Sequence, residues 1–299
     1  MSKNHSRRQF IQYLAATLGS LTFSRLNGET TMASTNQHKT IQQVIDLIIN
    51  KITDQPLEKT VDTIKIGNAS QPVTGITSTF LATCDVIQQS IQAGNNFIIT
   101  HEPTFYNHLD EVDWLADNSV YQFKRRLIEE NQLVIWRCHD YWHHLKPDGI
   151  MTGVEKKLGW QSFADPSVAF LYRRSPLPLS ELITEVKQKL EIPLVRVIGN
   201  LDLPVEKIGF LVGSPGGKSQ IKFLNLYDPD VLITGEINEW ETNIFTQDAI
   251  ATGRKKALVI LGHAASEEAG MAYFVEWLQA LIPTVKINHI PFTDRLQFV

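Results

Sequence analysis

Three apolar runs in this 299-residue chain end in histidine and carboxylate, the side chains that bind divalent ions and carry protons. Residues 97–100 lead into His101-Glu102-Pro103, residues 133–138 into His139-Asp140-Tyr141-Trp142-His143-His144, and residues 258–262 into His263, with Glu267 four positions on. One histidine after a strand is usually a cap or a packing residue. Here five of the eight histidines beyond residue 33 fall in these three clusters, which that reading does not explain. Imidazole and carboxylate without thiolate suit Zn, Mn, Fe or Ni better than Mg alone, and the number of donors allows two ions. Carboxylates can bridge such a pair, the arrangement with which hydrolytic sites generate hydroxide and clamp a leaving oxygen. His263 at a strand end, with Glu267 in the first turn of the next helix, puts both donors on one side of the chain near the positive helix end. Pro103 holds Glu102 extended. His139 is read either as a proton carrier beside the ions or as a partner for a buried carbonyl.

The elements that must position these residues follow from periodicity. Ile41, Val44, Ile45, Ile48, Ile49 and Ile52 recur at helical spacing, and a second helix through Val86, Ile87 and Ile91 stops at Gly94. Further helices are expected over 119–130, 178–190, 238–250 and 266–281. Strands are expected at 63–66, 73–80, 97–100, 133–138, 168–172, 194–198, 208–212, 231–234, 257–261 and 285–290. Alternation of this kind predicts an α/β protein with largely parallel pairing, whose ligand lies beyond the carboxyl ends of the strands. The seam between a first lobe (34–175) and a second (176–299) is placed at the proline-containing stretch 174–178, with residues 256–271 completing the metal site.

Composition narrows the class. Apolar residues make up 43% and charged residues 20%, the pattern of an ordinary globular protein. A net charge of −4 with no basic stripe argues against nucleic acid as a partner. Cys84 and Cys138 are too few for a zinc ribbon and are expected to be buried free thiols. At the N-terminus, Arg7-Arg8-Gln9-Phe10 precedes an uncharged stretch from Tyr13 to Ser24, the form of an export signal too short to span a bilayer. The paired arginines resemble a bacterial twin-arginine signal, with cleavage after Ala33. This makes residues 1–33 an address, the protein an exported, periplasmic or extracytoplasmic one, and a permanent membrane anchor unexpected.

Gly213-Ser214-Pro215-Gly216-Gly217-Lys218-Ser219 falls one glycine short of a phosphate-binding loop, because Val212 stands where the first glycine would be. A P-loop NTPase is excluded. Gly216, Gly217 and Lys218 at the start of a helix could still offer backbone N–H groups to an anion. Glu236 and Glu239 are read as structural or solvated.

Together these residues resemble a known family. Residues 93–105, AGNNFIITHEPTF, are similar to the strand-plus-ligand motif of the Nif three-like dinuclear metal centre proteins, the type 2 GTP cyclohydrolase I homologues. Gly213–Gly217 resembles their glycine-rich turn, Ile233-Thr234-Gly235-Glu236 their Ile-Thr-Gly-Asp, and Gly262-His263-Ala264-Ala265-Ser266-Glu267 their Gly-His-x-x-Ser-Glu. The resemblance implies a two-lobed α/β fold with mixed sheets flanked by helices, two divalent ions between the lobes and a ring-shaped homohexamer. It also implies a ligand set of His101, Glu102, His143, His263 and Glu267. Two positions depart from the family pattern: Glu102 stands where a second adjacent histidine is usual, and His143 stands four residues after His139 where aspartate is usual. The exchange conserves the tally of donors, and Asp140 is the alternative ligand to His143. The function this supports is a metal-dependent hydrolase using a metal-activated water on an unidentified small molecule; the alternative is a non-catalytic metal-binding or scaffold protein.

Overall fold

The computed structural model describes residues 39–296; the export signal read in residues 1–33 lies outside them. The chain runs α1 (Ile41–Ile52), β1 (Ile64–Ile66), β2 (Ile76–Thr79), α2 (Cys84–Gln92), β3 (Phe97–Thr100), α3 (Ser119–Glu130), β4 (Val134–Arg137), α4 (Asp140–His144) and α5 (Gly149–Leu158). It continues with β5 (Leu171–Pro178), α6 (Leu179–Leu190), β6 (Arg196–Ile198), β7 (Pro204–Leu211), α7 (Gly217–Tyr227), β8 (Val231–Thr234), α8 (Ile244–Ala251), β9 (Ala257–Ile260), α9 (His263–Leu281) and β10 (Ile287–His289). The strands form two five-stranded sheets, ordered β1-β4-β3-β2-β10 and β5-β7-β8-β9-β6. Both are mixed. The central pairs are parallel, as the alternation of strands and helices predicts, whereas β1, β5 and β6 pair antiparallel at the edges. β10 returns from the end of the chain to lie parallel to β2 in the first sheet.

The central strands β3, β4, β8 and β9 are buried at every position, which is why they read as continuous apolar runs. Helix α1 is held by a capping box, Thr40 with Gln43, and buries Ile41, Val44, Ile45 and Ile48. Cys138 is buried, but Cys84, at the first position of α2, is only half-buried, because its neighbours Val86 and Ile87 take the inward face.

Helix α5 is not among the helices that the sequence periodicity marks. Gly149 and Gly153 lower its intrinsic helix propensity, yet they are the points at which other groups come closest. A Cβ on Gly153 would lie 2.4 Å from the Ala269 carbonyl and 2.6 Å from Gly270 Cα, and one on Gly270 would lie 2.5 Å from Ile150 Cα. The backbones of α5 and α9 therefore touch. Trp142 of α4 is fully buried beside them, with ring centroids 4.7 Å from Phe274 and 5.2 Å from Trp277, and its indole N–H reaches the Gly270 carbonyl. Burial of such a side chain contributes on the order of 1.5–3 kcal/mol, enough to fix α4 against α9. Since α9 carries His263 and Glu267, this packing sets their height over the sheets. Gly153→Val is expected to cost about 1–3 kcal/mol by forcing the two helices apart; equilibrium denaturant unfolding measures it, and an unchanged midpoint would show that the contact is not constraining.

Candidate metal centre

The three strand-end clusters meet in one place. His101 follows β3 directly, His139 and His143 sit at the start and within α4 just beyond β4, and His263 opens α9 beyond β9. Two of the strands belong to the first sheet and one to the second, so the centre is assembled where the carboxyl ends of both sheets come together. The strand β9 stops at Ile260 and α9 begins at His263, which places Glu267 in the second helical turn instead of the expected first. The i, i+4 spacing still puts both side chains on one face.

Among the described residues, two groups offer ligand atoms within 4.8 Å of one another: His101, His139 and His143, and His101, Glu102 and Glu267. His263 joins the second group, its Nε2 lying 3.5 Å from Glu102 Oε1 and 3.2 Å from Glu267 Oε2. The rings of His101, His139 and His143 are mutual neighbours at centroid distances of 4.6, 5.1 and 4.9 Å. Thus all five sequence-expected ligands converge. His139 converges with them, its Nε2 at 3.6 Å from Glu102 Oε1, and its ring lies within the group that could hold an ion.

Outer partners fix each imidazole. His139 Nδ1 lies 2.9 Å from Asp140 Oδ1, His143 Nδ1 2.8 Å from Asp148 Oδ2, His263 Nδ1 3.1 Å from Glu236 Oε1, and His101 Nδ1 3.4 Å from the Cys138 carbonyl. With a proton on each Nδ1, each Nε2 is left as a lone pair, and this is how histidine ligands are oriented for a metal. Asp140, the alternative to His143, is fully committed elsewhere: its other oxygen accepts from Thr60 Oγ1 and the Val61 N–H. Asp148 does two jobs, accepting from the Met151 N–H as the cap of α5 while its second oxygen holds His143. Buried Asp62 accepts the backbone N–H groups of His139, Asp140 and Tyr141 and so anchors the start of α4.

The glycine-rich elements of the second sheet enclose His263 and Glu267. Gly213, at φ +63°, passes so close that a Cβ would lie 2.2 Å from Glu267 Oε1 and 3.2 Å from His263 Nε2. Its N–H donates to Ser266 Oγ, which donates in turn to the His263 carbonyl. At the other end of the turn, the Glu241 carboxylate lies against Gly217 at the start of α7. An anion placed there by Gly216, Gly217 and Lys218 would meet that carboxylate.

The electrostatics favour a cation. Side-chain exposure falls from 28% for His143 to 3% for Glu267 and 0% for His101. His101 Nε2 and Glu267 Oε2 are buried and 3.4 Å apart, and neither makes a well-directed hydrogen bond, although Glu267 Oε2 also lies 3.2 Å from His263 Nε2. Unpaired buried polar atoms of this kind are costly, and a divalent ion would satisfy both. Burial opposes ionisation of Glu267 and Glu102, but the imidazoles around them prevail and hold both below the usual carboxylate range. Burial, with His101 and His143 beside it, pushes His139 down to about 4 and keeps it neutral. Burial acts the same way on His263, yet the carboxylates of Glu102, Glu236 and Glu267 beside it outweigh it and raise the ring to about 11.

A mixed α/β fold whose two sheets carry a buried His/Glu group able to hold a metal ion defines the class. The family profile of DUF34/NIF3 (NGG1p interacting factor 3) matches residues 39–295, and the chain belongs to that family. A curated relative, the GTP cyclohydrolase 1 type 2 homolog of Clostridium acetobutylicum, is 21% identical over 238 residues, covering 75% of this chain and 84% of its own. Among solved structures, a Bacillus cereus protein related to NIF3 superposes with a TM-score of 0.71 at 16% identity, and a Staphylococcus aureus hypothetical protein with 0.69 at 17%. In both, 87% of this chain and 99% of the other are covered.

The pKa displacements define the pH behaviour of the metal-free chain. Neutral His139 opposes folding increasingly as pH falls from 6.5 towards 4, and the depressed carboxylates add to this below 4.5. Protonated His263 stabilises below 6.5, a contribution lost as pH rises towards 11. In chelator the thermal midpoint should therefore peak near pH 6.5, and Glu267→Gln should flatten the alkaline limb; a wild-type midpoint that climbs steadily from pH 6.5 to 10 would contradict the assignment.

Proposed function

We propose that the protein is a dinuclear divalent-metal hydrolase. The observation that carries this reading is the convergence of four imidazole Nε2 atoms and two carboxylates on a space where His101 Nε2 and Glu267 Oε2 lack partners. When bound, divalent ions at such a centre supply a water acidic enough to be hydroxide near neutral pH and polarise the bond under attack. His101, His139 and His143 form the imidazole-rich end of the set, and His263 the other end. Glu102 and Glu267 lie between the ends, each with one oxygen close to imidazoles from both sides. Asp140, Asp148 and Glu236 hold the rings in register. The partial exposure of His139, His143 and His263 leaves a route for water and a small substrate, which favours turnover over storage of an ion. The name of the Clostridium relative, a cyclohydrolase homolog, supports hydrolysis as the reaction class. Export directed by Arg7-Arg8 and assembly into a homohexamer belong to the same proposal, the first resting on the N-terminal sequence and the second on the family resemblance.

Elemental analysis of protein purified without chelator should find close to two divalent ions per chain, both lost in Glu267→Ala and His101→Ala. Wild-type protein should then hydrolyse a member of a phosphoester and cyclic-amide panel in a metal-dependent way. Absence of stoichiometric metal would overturn the centre; two ions with no turnover across the panel would leave a metal-binding protein without hydrolase activity.

A further inference from the structure

Arg137 is the last residue of β4 and its side chain is fully buried. An arginine in that position has to satisfy its donors from within the protein, because the desolvation of an unpaired guanidinium is prohibitive. All of the partners it finds belong to one segment. Nε donates to the His101 carbonyl at 3.1 Å, Nη1 to the His108 carbonyl at 2.6 Å, and Nη2 to Glu102 Oε2 at 3.2 Å. Two of these three residues are members of the metal-binding group, and the third closes the loop that follows them. The rigid fork of the guanidinium makes this a fixed frame, which a lysine ammonium could not reproduce.

The consequence falls on Glu102. With Oε2 held by Arg137, its other oxygen, Oε1, is the one directed at His139 Nε2 and His263 Nε2. We propose that Arg137 is a positioning residue of the metal centre: it restricts Glu102 to donating one oxygen, Oε1, and its positive charge balances the carboxylate that this chain carries at position 102. The inference rests on the metal reading above. It explains how an anionic ligand is accommodated next to His101 on a buried strand end: the two members of the pair, Glu102 and Arg137, depend on each other. A neutral ligand at 102 would leave Arg137 as an unpaired buried cation beside a cationic centre, while loss of Arg137 would free Glu102 to turn and offer both oxygens or neither.

The test is a double-mutant cycle on the full chain, with Zn2+ affinity measured against a competing chromophoric chelator and metal-free thermal midpoints recorded in parallel. Arg137→Met should weaken binding by roughly 10- to 100-fold, the usual cost of losing a partner that orients a ligand. Glu102→His, which keeps a ligand atom but removes the charge, should also weaken it. In the double variant Glu102→His/Arg137→Met the buried cation and its partner are removed together, and affinity should recover well above the product of the two losses. Arg137→Lys keeps the charge without the fork and should remain weakened, so it reports on the same role if Arg137→Met fails to fold. Wild-type affinity in Arg137→Met or Arg137→Lys, or strictly multiplicative losses in the double variant, would overturn the role of Arg137. A wild-type chain that binds no Zn2+ would instead overturn the metal reading itself.

Discussion

Two carboxylates and four imidazoles share a space in which His101 and Glu267 have almost no contact with water, and the surrounding structure is organised to hold them there. Such a group cannot be stabilised by packing alone. Each ring is tied through Nδ1 to an acceptor, a neighbour in sequence for His139 and His143 and a distant segment for His101 and His263, and each carboxylate lies against imidazoles from two elements. The acceptors are themselves multiply engaged: Asp148 caps α5, Asp140 accepts from Thr60 Oγ1 and the Val61 N–H, and Glu236 has its N–H on the Gly213 carbonyl. A displacement at any of these points would be transmitted to a ligand atom, because hydrogen bonds in a low-dielectric surrounding are strong and few alternatives exist.

Close backbone approach does the remaining positioning. Gly213 admits Glu267, Gly235 lies where a Cβ would strike the Gly213 carbonyl, and Gly153 with Gly270 lets α5 and α9 touch. At each of these positions a methyl group would have to displace backbone or a site atom, so the glycines are required by space and, at Gly213, also by a positive φ. Motifs that are far apart in the chain, 213–217, 233–236 and 262–267, thereby become one wall around His263 and Glu267. The return of β10 to β2 adds a covalent constraint between the two sheets, and Ser78 reinforces it by donating to the Met271 carbonyl of α9.

Much of this was present in the one-dimensional pattern. Apolar periodicity located α1 and α3 to the residue and most strands to within a few, because buried parallel strands are uninterrupted apolar runs and these helices carry clear amphipathic spacing; the antiparallel edge strand β5, half-exposed and polar beyond Tyr172, runs on to Pro178, six residues past its expected end. Runs of that kind ending in His101-Glu102, His139 and His263 also exposed the donor set, since strand ends in an α/β sheet face a common crevice. The i, i+4 relation of His139 and His143 was the available signal that the two rings lie side by side. α5 was illegible for the opposite reason: its two glycines look like breaks, and only the presence of α9 against it turns them into contacts.

What the sequence by itself determined was therefore the alternation of elements, the family, and the kinds of side chain brought to the ends of the strands, all of which depend on local spacing and residue type. What the tertiary structure decided was which atom of each side chain faces the centre. The oxygens of Asp140 are taken by Thr60, Val61 and His139, and Glu102 is left with one free oxygen because Arg137 takes the other. Apart from the adjacent His139, the partners in these outcomes lie tens of residues away in the chain, and no local pattern records a contact that only folding makes.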